Sequence, residues 1–181
     1  MEQNTTIAAI STPYGKGGVA LLRVSGPEAA EIAGKVFFPA NRKPLAAQEG
    51  ARMVYGSIYS RGEQIDDGMA VYFHAPHSYT GEDAVEFQCH GSPAVLAAGL
   101  RALFANGFRQ ALAGEFTRRA FLSGQMDLTQ AEAVIDLIDA ETPDAAANAA
   151  GQVGGALRRK IEPLYDALCG ICAHFHAVLD Y

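Results

Sequence analysis

The pattern of apolar and polar positions divides the chain into two regions. Up to about Ala113, short runs rich in β-branched and aromatic residues alternate with Gly, Pro and Asn turns, which predicts β-strands. The turn residues Arg61-Gly62-Glu63 indicate a hairpin between two of these runs. The predicted strands comprise residues 7–10, 19–25, 53–59, 69–73 and 84–89.

Two helices are predicted among these strands. The first, over residues 27–37, has Pro27 and acidic side chains at its start and Lys35 near its end, an order that suits the helix dipole. The second, over residues 92–106, begins at a Ser-Pro pair and ends before a glycine. Strands interrupted by sheet-covering helices predict an α+β domain with a mixed sheet over residues 1–116.

Residues 117–181 are rich in Ala and Leu and have helical spacing throughout, which predicts an all-helical segment. We expect helices over residues 117–122 and 129–140, then one long helical segment from Pro143 to the end. Because its apolar stripe is still running at Tyr181, we interpret this segment as the first part of a longer helical domain. The alternative is a complete chain whose last helix packs on its own domain or dimerises. The stripe consists of Leu157, Ile161, Leu164, Leu168, Ile171, Phe175, Val178 and Leu179.

Composition and charge narrow the class of protein. The 181 residues are 49% apolar and 19% charged, which is sufficient for a sizeable core and unlike a disordered chain. The N-terminus, residues 1–4, lacks a signal-peptide pattern, and no long apolar run is present, so we expect a cytoplasmic protein without a membrane anchor. The formal net charge is −6, and both regions are acidic. This balance argues against a protein that grips nucleic acid by itself.

The cysteines and histidines near the C-terminus invite a metal interpretation that the predicted helix disfavours. Three cysteines in the chain suit a reducing compartment better than a disulfide framework. Cys169, Cys172, His174 and His176 have the residue types of a zinc site. On one continuous helix, however, His174 points away from the others. We therefore predict no metal site, and we interpret the cysteines as small apolar residues of the stripe.

Three other patterns carry little catalytic signal. The glycine-rich stretch around Lys16 lacks the Ser or Thr and the following helix of a phosphate loop, so it favours a tight strand connection, with backbone approach to a ligand as the alternative. His90 has no evident nucleophile or triad setting. We therefore predict no catalytic residue in this chain. The acidic side chains from Asp127 to Asp139 have the spacing of a solvated helix face.

Two charged residues interrupt apolar strands. Alternation places Arg23 on one face with Leu21 and Ser25, and we expect it beside the core side of the sheet, where it needs an anionic partner. Glu86 lies between Val85 and Phe87 and is its natural complement. A carboxylate in that setting can also accept two parallel N–H bonds from a 2-amino-4-oxo heterocycle, such as a pterin or guanine. An internal ion pair and a ligand site are both open.

Five blocks of sequence, taken together, closely resemble the MnmE (TrmE) tRNA-modification GTPases. They occur in the order found in that family and span nearly the entire chain, which is more specific than any single motif. The blocks are residues 6–27, 79–86, 90–93, 113–124 and 126–140.

The resemblance implies a fold and a function. It implies an N-terminal domain related to the tetrahydrofolate-binding domain of aminomethyltransferases, then the first part of a helical domain, with a GTPase domain inserted beyond residue 181 that binds GTP, Mg²⁺ and K⁺. Members of the family form homodimers through the N-terminal domain and bind 5-formyltetrahydrofolate, or methylenetetrahydrofolate, near that interface. With the FAD-dependent partner MnmG they add an aminomethyl or carboxymethylaminomethyl group to C5 of the wobble uridine of tRNA, which is held mainly through the partner complex.

The resemblance also implies a cofactor-binding set. The folate contacts of the family fall on Arg23 and Glu86, and a third, basic contact falls on Gln125. Because glutamine lacks the charge, we expect weaker attraction for the anionic folate tail, although its amide still forms hydrogen bonds. Two alternatives are a dimerisation scaffold without useful folate binding and a free-standing aminomethyltransferase-like enzyme. The second lacks a convincing acid near the one-carbon group.

Overall fold

The computed structural model describes residues 5–179 and contains two compact units, Met1–Gln125 and Met126–Tyr181. The first unit is a mixed seven-stranded sheet with helices, and the second is all-helical, which confirms the predicted α+β class followed by a helical segment. The N-terminal residues 1–4 and the last two positions of the chain lie outside the described residues. No helix within residues 5–179 has the length and hydropathy needed to cross a membrane.

The sheet of the first unit has the strand order β3-β4-β5-β6-β2-β1-β7. Neighbouring strands are antiparallel except for β1 and β7, which are parallel. The strands are β1 (Ile7–Ile10), β2 (Gly17–Ser25), β3 (Phe37–Pro39), β4 (Met53–Ser60), β5 (Glu63–Phe73), β6 (Ala84–Gly91) and β7 (Arg109–Gln110).

The core lies on one face of this sheet, under two helices. The helices of the first unit are α1 (Ala29–Ala33), α2 (Pro93–Ala105) and α3 (Glu115–Leu122), with a 3-10 turn at Leu45–Ala47. Apolar residues of α1 and α2 belong to the same buried cluster as alternate residues of the strands. Because Leu22 and Val24 are in that cluster, the residue between them faces the other side of the sheet.

The helix predicted over residues 27–37 is wrong in its second half. α1 ends at Ala33, and Phe37 belongs to β3, where it pairs with Ile58 of β4 and is fully buried. Tertiary burial of Phe37 therefore decides the conformation of this segment. The short β7 was also not predicted, because two residues are too few to show periodicity.

The predicted hairpin at Arg61 and Gly62 is confirmed. Both residues have positive φ, 54° and 84°, as a two-residue turn of the type favoured between twisted strands requires. The following strand, β5, begins at Glu63, six residues before the predicted start. Its polar first half gave no apolar signal but pairs with β4 across the hairpin, with Ser57 opposite Asp67.

The division between the units falls after Gln125, whereas the change in composition indicated residue 116. The short helix α3 explains the difference, because its ionic contacts belong to the first unit. Glu115 pairs with Arg109, and Arg119 pairs with Glu82. Side-chain composition marks where helices begin, but these ion pairs determine which unit the helix joins.

The second unit contains α4 (Leu128–Ile138), α5 (Pro143–Val153) and α6 (Ala156–Leu179). Asp127 caps α4 by accepting a hydrogen bond from the backbone N–H of Gln130. The single helix predicted from Pro143 onward is two helices, because the chain breaks at Gly154 and Gly155, where Gly155 has φ of 76°.

The apolar stripe of α6 is exposed along its length, and no residue of this helix is buried. Cys169 and Cys172 lie on this helix with exposed side chains and form no disulfide. Among residues 5–179, the group of side chains with metal-ligand spacing lies in the first unit and includes neither cysteine.

Candidate functional site

A cross-strand ion pair lies at the centre of the candidate site. The antiparallel register of β2 and β6 places Arg23 directly opposite Glu86, and Arg23 Nε donates to Glu86 Oε1 at 2.7 Å. Glu86 is thus the partner that the sequence indicated. The expected position beside the core is wrong, because Leu22 and Val24 occupy the core face and Arg23 lies on the opposite face.

Two aromatic rings flank the guanidinium group. Arg23 Cζ lies 5.3 Å from the ring centroid of Tyr79 and 5.7 Å from that of Phe116. Both distances are in the range of cation–π interactions. Sequence reasoning missed these contacts, although both residues fall within the family blocks, because the rings come from distant parts of the chain.

Arg23, Glu86 and Gln125 line one cavity of about 360 Å³, which lies within the first unit. This volume is in the range of small-molecule sites. Among residues 5–179, Glu86 Oε2, the terminal nitrogens of Arg23 and the side-chain amide of Gln125 have no hydrogen-bond partner. The cavity therefore offers an anionic acceptor, cationic donors and a neutral amide. The other lining residues are Phe73, Ala84 and residues 76–80.

The loop between β5 and β6 forms one wall of this cavity and is held by buried hydroxyl groups. Ser25 Oγ donates to Glu82 Oε2 and is hydrogen-bonded to Thr80 Oγ1, each at 2.7 Å. Thr80 is almost completely buried. Ser78 Oγ donates to the carbonyl of Glu82 at 2.5 Å. These contacts give the loop a defined conformation without a ligand.

Helix α3 and the residue that follows it, Ser123, also form hydrogen bonds with this loop. Arg119 Nη1 donates to Glu82 Oε2 at 3.0 Å, and Ser123 Oγ donates to the carbonyl of Thr80 at 2.6 Å. A β-carbon at Gly81, whose φ is 74°, would come within 2.9 Å of Gln125 Nε2. Glycine at this position lets Gln125 approach the loop, which explains how a residue remote in sequence reaches the cavity.

A buried ionic network supports α3. Glu115 accepts from Arg109 and Arg119, and its side chain is 7% exposed. The hydrogen bond from Arg109, assisted by the N–H of Leu112 and by Arg119, lowers the pKa of Glu115 to about 2 against the effect of burial. Sequence reasoning missed this network, because its members are separated along the chain and carry no motif.

His90 lies outside the cavity and forms a separate polar cluster. Its Nδ1 is 2.7 Å from Asp66 Oδ1, and its ring is largely exposed. Ligand atoms of Asp66, Asp67 and His90 all lie within 4.8 Å of one another, a grouping the sequence did not reveal. The hydrogen bond to Asp66, together with its charge, raises the pKa of His90.

Two protein-family profiles match this chain, one for each of its two structural units. A family profile described as the N-terminus of the GTP-binding protein TrmE matches residues 6–125, and one described as the MnmE helical domain matches residues 128–181. These two matches coincide closely with the two structural units.

Proteins named tRNA modification GTPase MnmE are similar over nearly the whole chain. One relative from Thermus thermophilus is 47% identical over 183 residues, which are 100% of this chain and 42% of that protein. The relative from Symbiobacterium thermophilum is 43% identical over 97% of this chain and 39% of its own length. The relative from Halorhodospira halophila is 47% identical over 97% of this chain and 36% of its own length. The chain thus spans about two fifths of the length of these relatives, and it belongs to the MnmE (TrmE) family of tRNA-modification GTPases.

Proposed function

We propose that this chain is the part of a tRNA-modification GTPase that binds a one-carbon folate and dimerises. In this proposal the whole protein acts with MnmG in the cytoplasm to install an aminomethyl or carboxymethylaminomethyl group at C5 of the wobble uridine of tRNA. GTP, Mg²⁺ and K⁺ belong to the GTPase domain. The chain supplies the folate site and the dimer contact and carries out no chemical step alone.

The observation that carries the folate assignment is the Arg23–Glu86 pair on the wall of the 360 Å³ cavity. Glu86 accepts from Arg23 with one oxygen and keeps Oε2 for a ligand donor. A pterin ring presents adjacent N–H donors and a carbonyl acceptor. The donors match Glu86, and the carbonyl matches a terminal nitrogen of Arg23.

Gln125 supplies the third contact of the proposed site. It lines the cavity beside the pair, and its amide both donates and accepts. A neutral amide does not attract the glutamate tail of folate as a lysine or arginine would. We therefore expect an affinity that rises when Gln125 is replaced by lysine.

An open sheet face supports the dimerisation component. Phe38 and Tyr55 lie on the face opposite α1 and α2, and about half of each side chain is exposed. The neighbouring Met53 is also exposed, and Phe38 contacts Tyr59 edge to face at 5.1 Å between ring centroids. Exposed aromatic and methionine side chains on one surface favour association with another protein surface.

Calorimetric titration with 5-formyltetrahydrofolate tests the folate site, with light scattering to follow the dimer. Replacing Glu86 by glutamine removes the anionic acceptor and should weaken binding roughly 10- to 100-fold, as expected for a hydrogen bond to a charged group. The double variant Arg23→Gln/Glu86→Gln also removes the proposed donor to the pterin carbonyl and should bind at least as weakly as Glu86→Gln. Glu63→Gln, an exposed carboxylate on β5, is the matched control.

The same titration distinguishes the folate site from the second candidate function, a dimerisation scaffold that does not bind folate. The observation that favours the scaffold is the neutral Gln125, at a position where the family resemblance implies a basic residue. A well-folded dimer that shows no saturable folate binding, even with Gln125→Lys, would establish the scaffold and exclude the folate site. Unchanged affinity in Glu86→Gln would show that Glu86 does not hold the pterin.

A further inference from the structure

A second cavity of the first unit, of about 640 Å³, is lined by apolar side chains and three cations. We call it the basic cleft. Its cations are Lys35, Arg42 and Lys43, and none of them forms an ion pair within residues 5–179. Glu31 is the one acid among its lining residues. The apolar lining comes from Phe37, Phe38, Pro39, Pro44, Leu45, Ala30 and Ala46.

The charge of this region is opposite to that of the rest of the chain. Residues 35–61 contain five basic residues and one acid, Glu49. The remainder of the chain contains nine basic residues and nineteen acids. This stretch of sequence therefore has a net charge of +4 in a protein of net −6, and the lining of the cleft is a patch of three cations and one acid. Such a patch favours an anionic occupant.

The loop that presents Arg42 and Lys43 has a fixed conformation. The side-chain amides of Asn41 and Gln48 exchange two hydrogen bonds of 3.1 Å, and Gln48 is buried. Gln48 Nε2 also donates to the carbonyl of Lys43 at 2.6 Å, and the N–H of Lys43 donates to Asn41 Oδ1. The backbone between these anchors therefore cannot rearrange without loss of these hydrogen bonds.

Arg42 adopts an uncommon backbone conformation within this loop. Its φ is 59°, in the left-handed region that glycine and asparagine occupy more readily than arginine. The loop thus places two adjacent cations at the edge of an apolar cavity.

We propose that the basic cleft binds single-stranded RNA, with one base in the apolar cleft and the flanking phosphates on Arg42, Lys43 and Lys35. The proposal rests on the proposed function only in that a tRNA is the expected source of the RNA. A base has the apolar faces and the size for such a cavity, and the phosphates supply the complementary charge. A peptide of acidic residues alone would complement the cations but not the apolar cleft.

Fluorescence anisotropy with a labelled oligouridylate tests the phosphate contacts on the 181-residue chain. Arg42→Asn, which tolerates the left-handed backbone, is combined with Lys43→Gln. Loss of two phosphate contacts should reduce the steepness of the plot of log association constant against log salt concentration by about 1.4. The factor by which affinity falls between 50 and 200 mM salt should then be about sevenfold smaller in this variant than in the wild type. Arg101→Gln/Arg118→Gln removes the same charge at two exposed positions and should leave the slope unchanged.

A second comparison tests the base in the cleft. The exposed Ala46 lines the cavity, so Ala46→Trp should fill it without removing charge. The wild-type chain should bind oligouridylate more tightly than an abasic oligomer of equal length, and Ala46→Trp should abolish this preference. Equal binding of the two oligomers by the wild type, or equal slopes in the two double variants, would overturn the proposal.

Two further readouts separate this proposal from its alternatives. Displacement of the RNA by a polyaspartate peptide of equal charge, at equal concentration, would assign the cleft to an acidic peptide and refute the RNA assignment. Titration of Arg42→Asn/Lys43→Gln with 5-formyltetrahydrofolate should give wild-type affinity, since the folate cavity has other lining residues. Loss of RNA binding and loss of folate binding are therefore distinguishable.

Discussion

Lowering the pH should decrease the unfolding free energy of the first unit, because Glu115 becomes protonated and loses its charge. This carboxylate accepts hydrogen bonds from two arginines and from the N–H of Leu112, and it is buried. Arg119 is itself buried and continues the network to Glu82, on the loop between β5 and β6. Glu115→Gln removes the charge with little change in shape.

The magnitude follows from the pKa of Glu115, which falls from its ordinary value of 4.5 to about 2 in the folded chain. A carboxylate with a lowered pKa contributes its full stabilisation above the unfolded pKa and loses it as the pH falls through the folded pKa. Linkage gives a contribution of about 3 kcal/mol at pH 6 and about 1 kcal/mol at pH 3. The difference between wild type and Glu115→Gln should shrink by about 2 kcal/mol over this interval.

Urea unfolding at pH 6, 4.5 and 3, followed by tyrosine fluorescence, measures this difference. Five of the seven tyrosines lie in the first unit, which weights the signal toward it. Glu63→Gln, at an exposed position, should follow the wild type at every pH. If wild type and Glu115→Gln lost equal unfolding free energy between pH 6 and pH 3, Glu115 would not be the buried, hydrogen-bonded carboxylate described above.

Two further predictions concern other titratable groups. Burial raises the pKa of Cys89 to about 11, so iodoacetamide at pH 8 should modify the exposed Cys169 and Cys172 and spare Cys89 until the chain is unfolded, as peptide mass mapping would show. The hydrogen bond and the charge of Asp66 raise the pKa of His90, so an NMR titration should find His90 protonated to a higher pH than an ordinary histidine. Asp66→Asn should return it toward the ordinary value, and an unchanged titration in that variant would exclude the contact.

The charged pair of the candidate site was visible in the sequence for a definite reason. Arg23 and Glu86 each interrupt an apolar strand, and a charge in that setting requires a partner. Register then decides whether two such residues meet, and β2 and β6 pair them directly. The sequence could not specify the rings of Tyr79 and Phe116 beside the guanidinium, because they depend on a loop and a helix that meet only after folding.

Elements whose conformation depends on tertiary contacts were predicted poorly. Phe37 has a helical neighbourhood in sequence but becomes part of an edge strand, since pairing with Ile58 buries it. The polar start of β5 is a strand because a tight turn at Gly62 brings it against β4. The basic cleft was missed for another reason: its cations are few, and the acidic remainder dominates the net charge.

The parallel pairing of β1 with β7 has a consequence for how the protein is made. Ile7 pairs with Arg109, roughly one hundred residues later, so the sheet cannot close while the ribosome is still translating the intervening chain. The 360 Å³ cavity likewise lacks one of its lining residues until Gln125 has been synthesised. The nascent polypeptide therefore exposes an unpaired strand edge beside β1 until Arg109 and Gln110 have been synthesised, and an unpaired edge of this kind is a site of aggregation during folding.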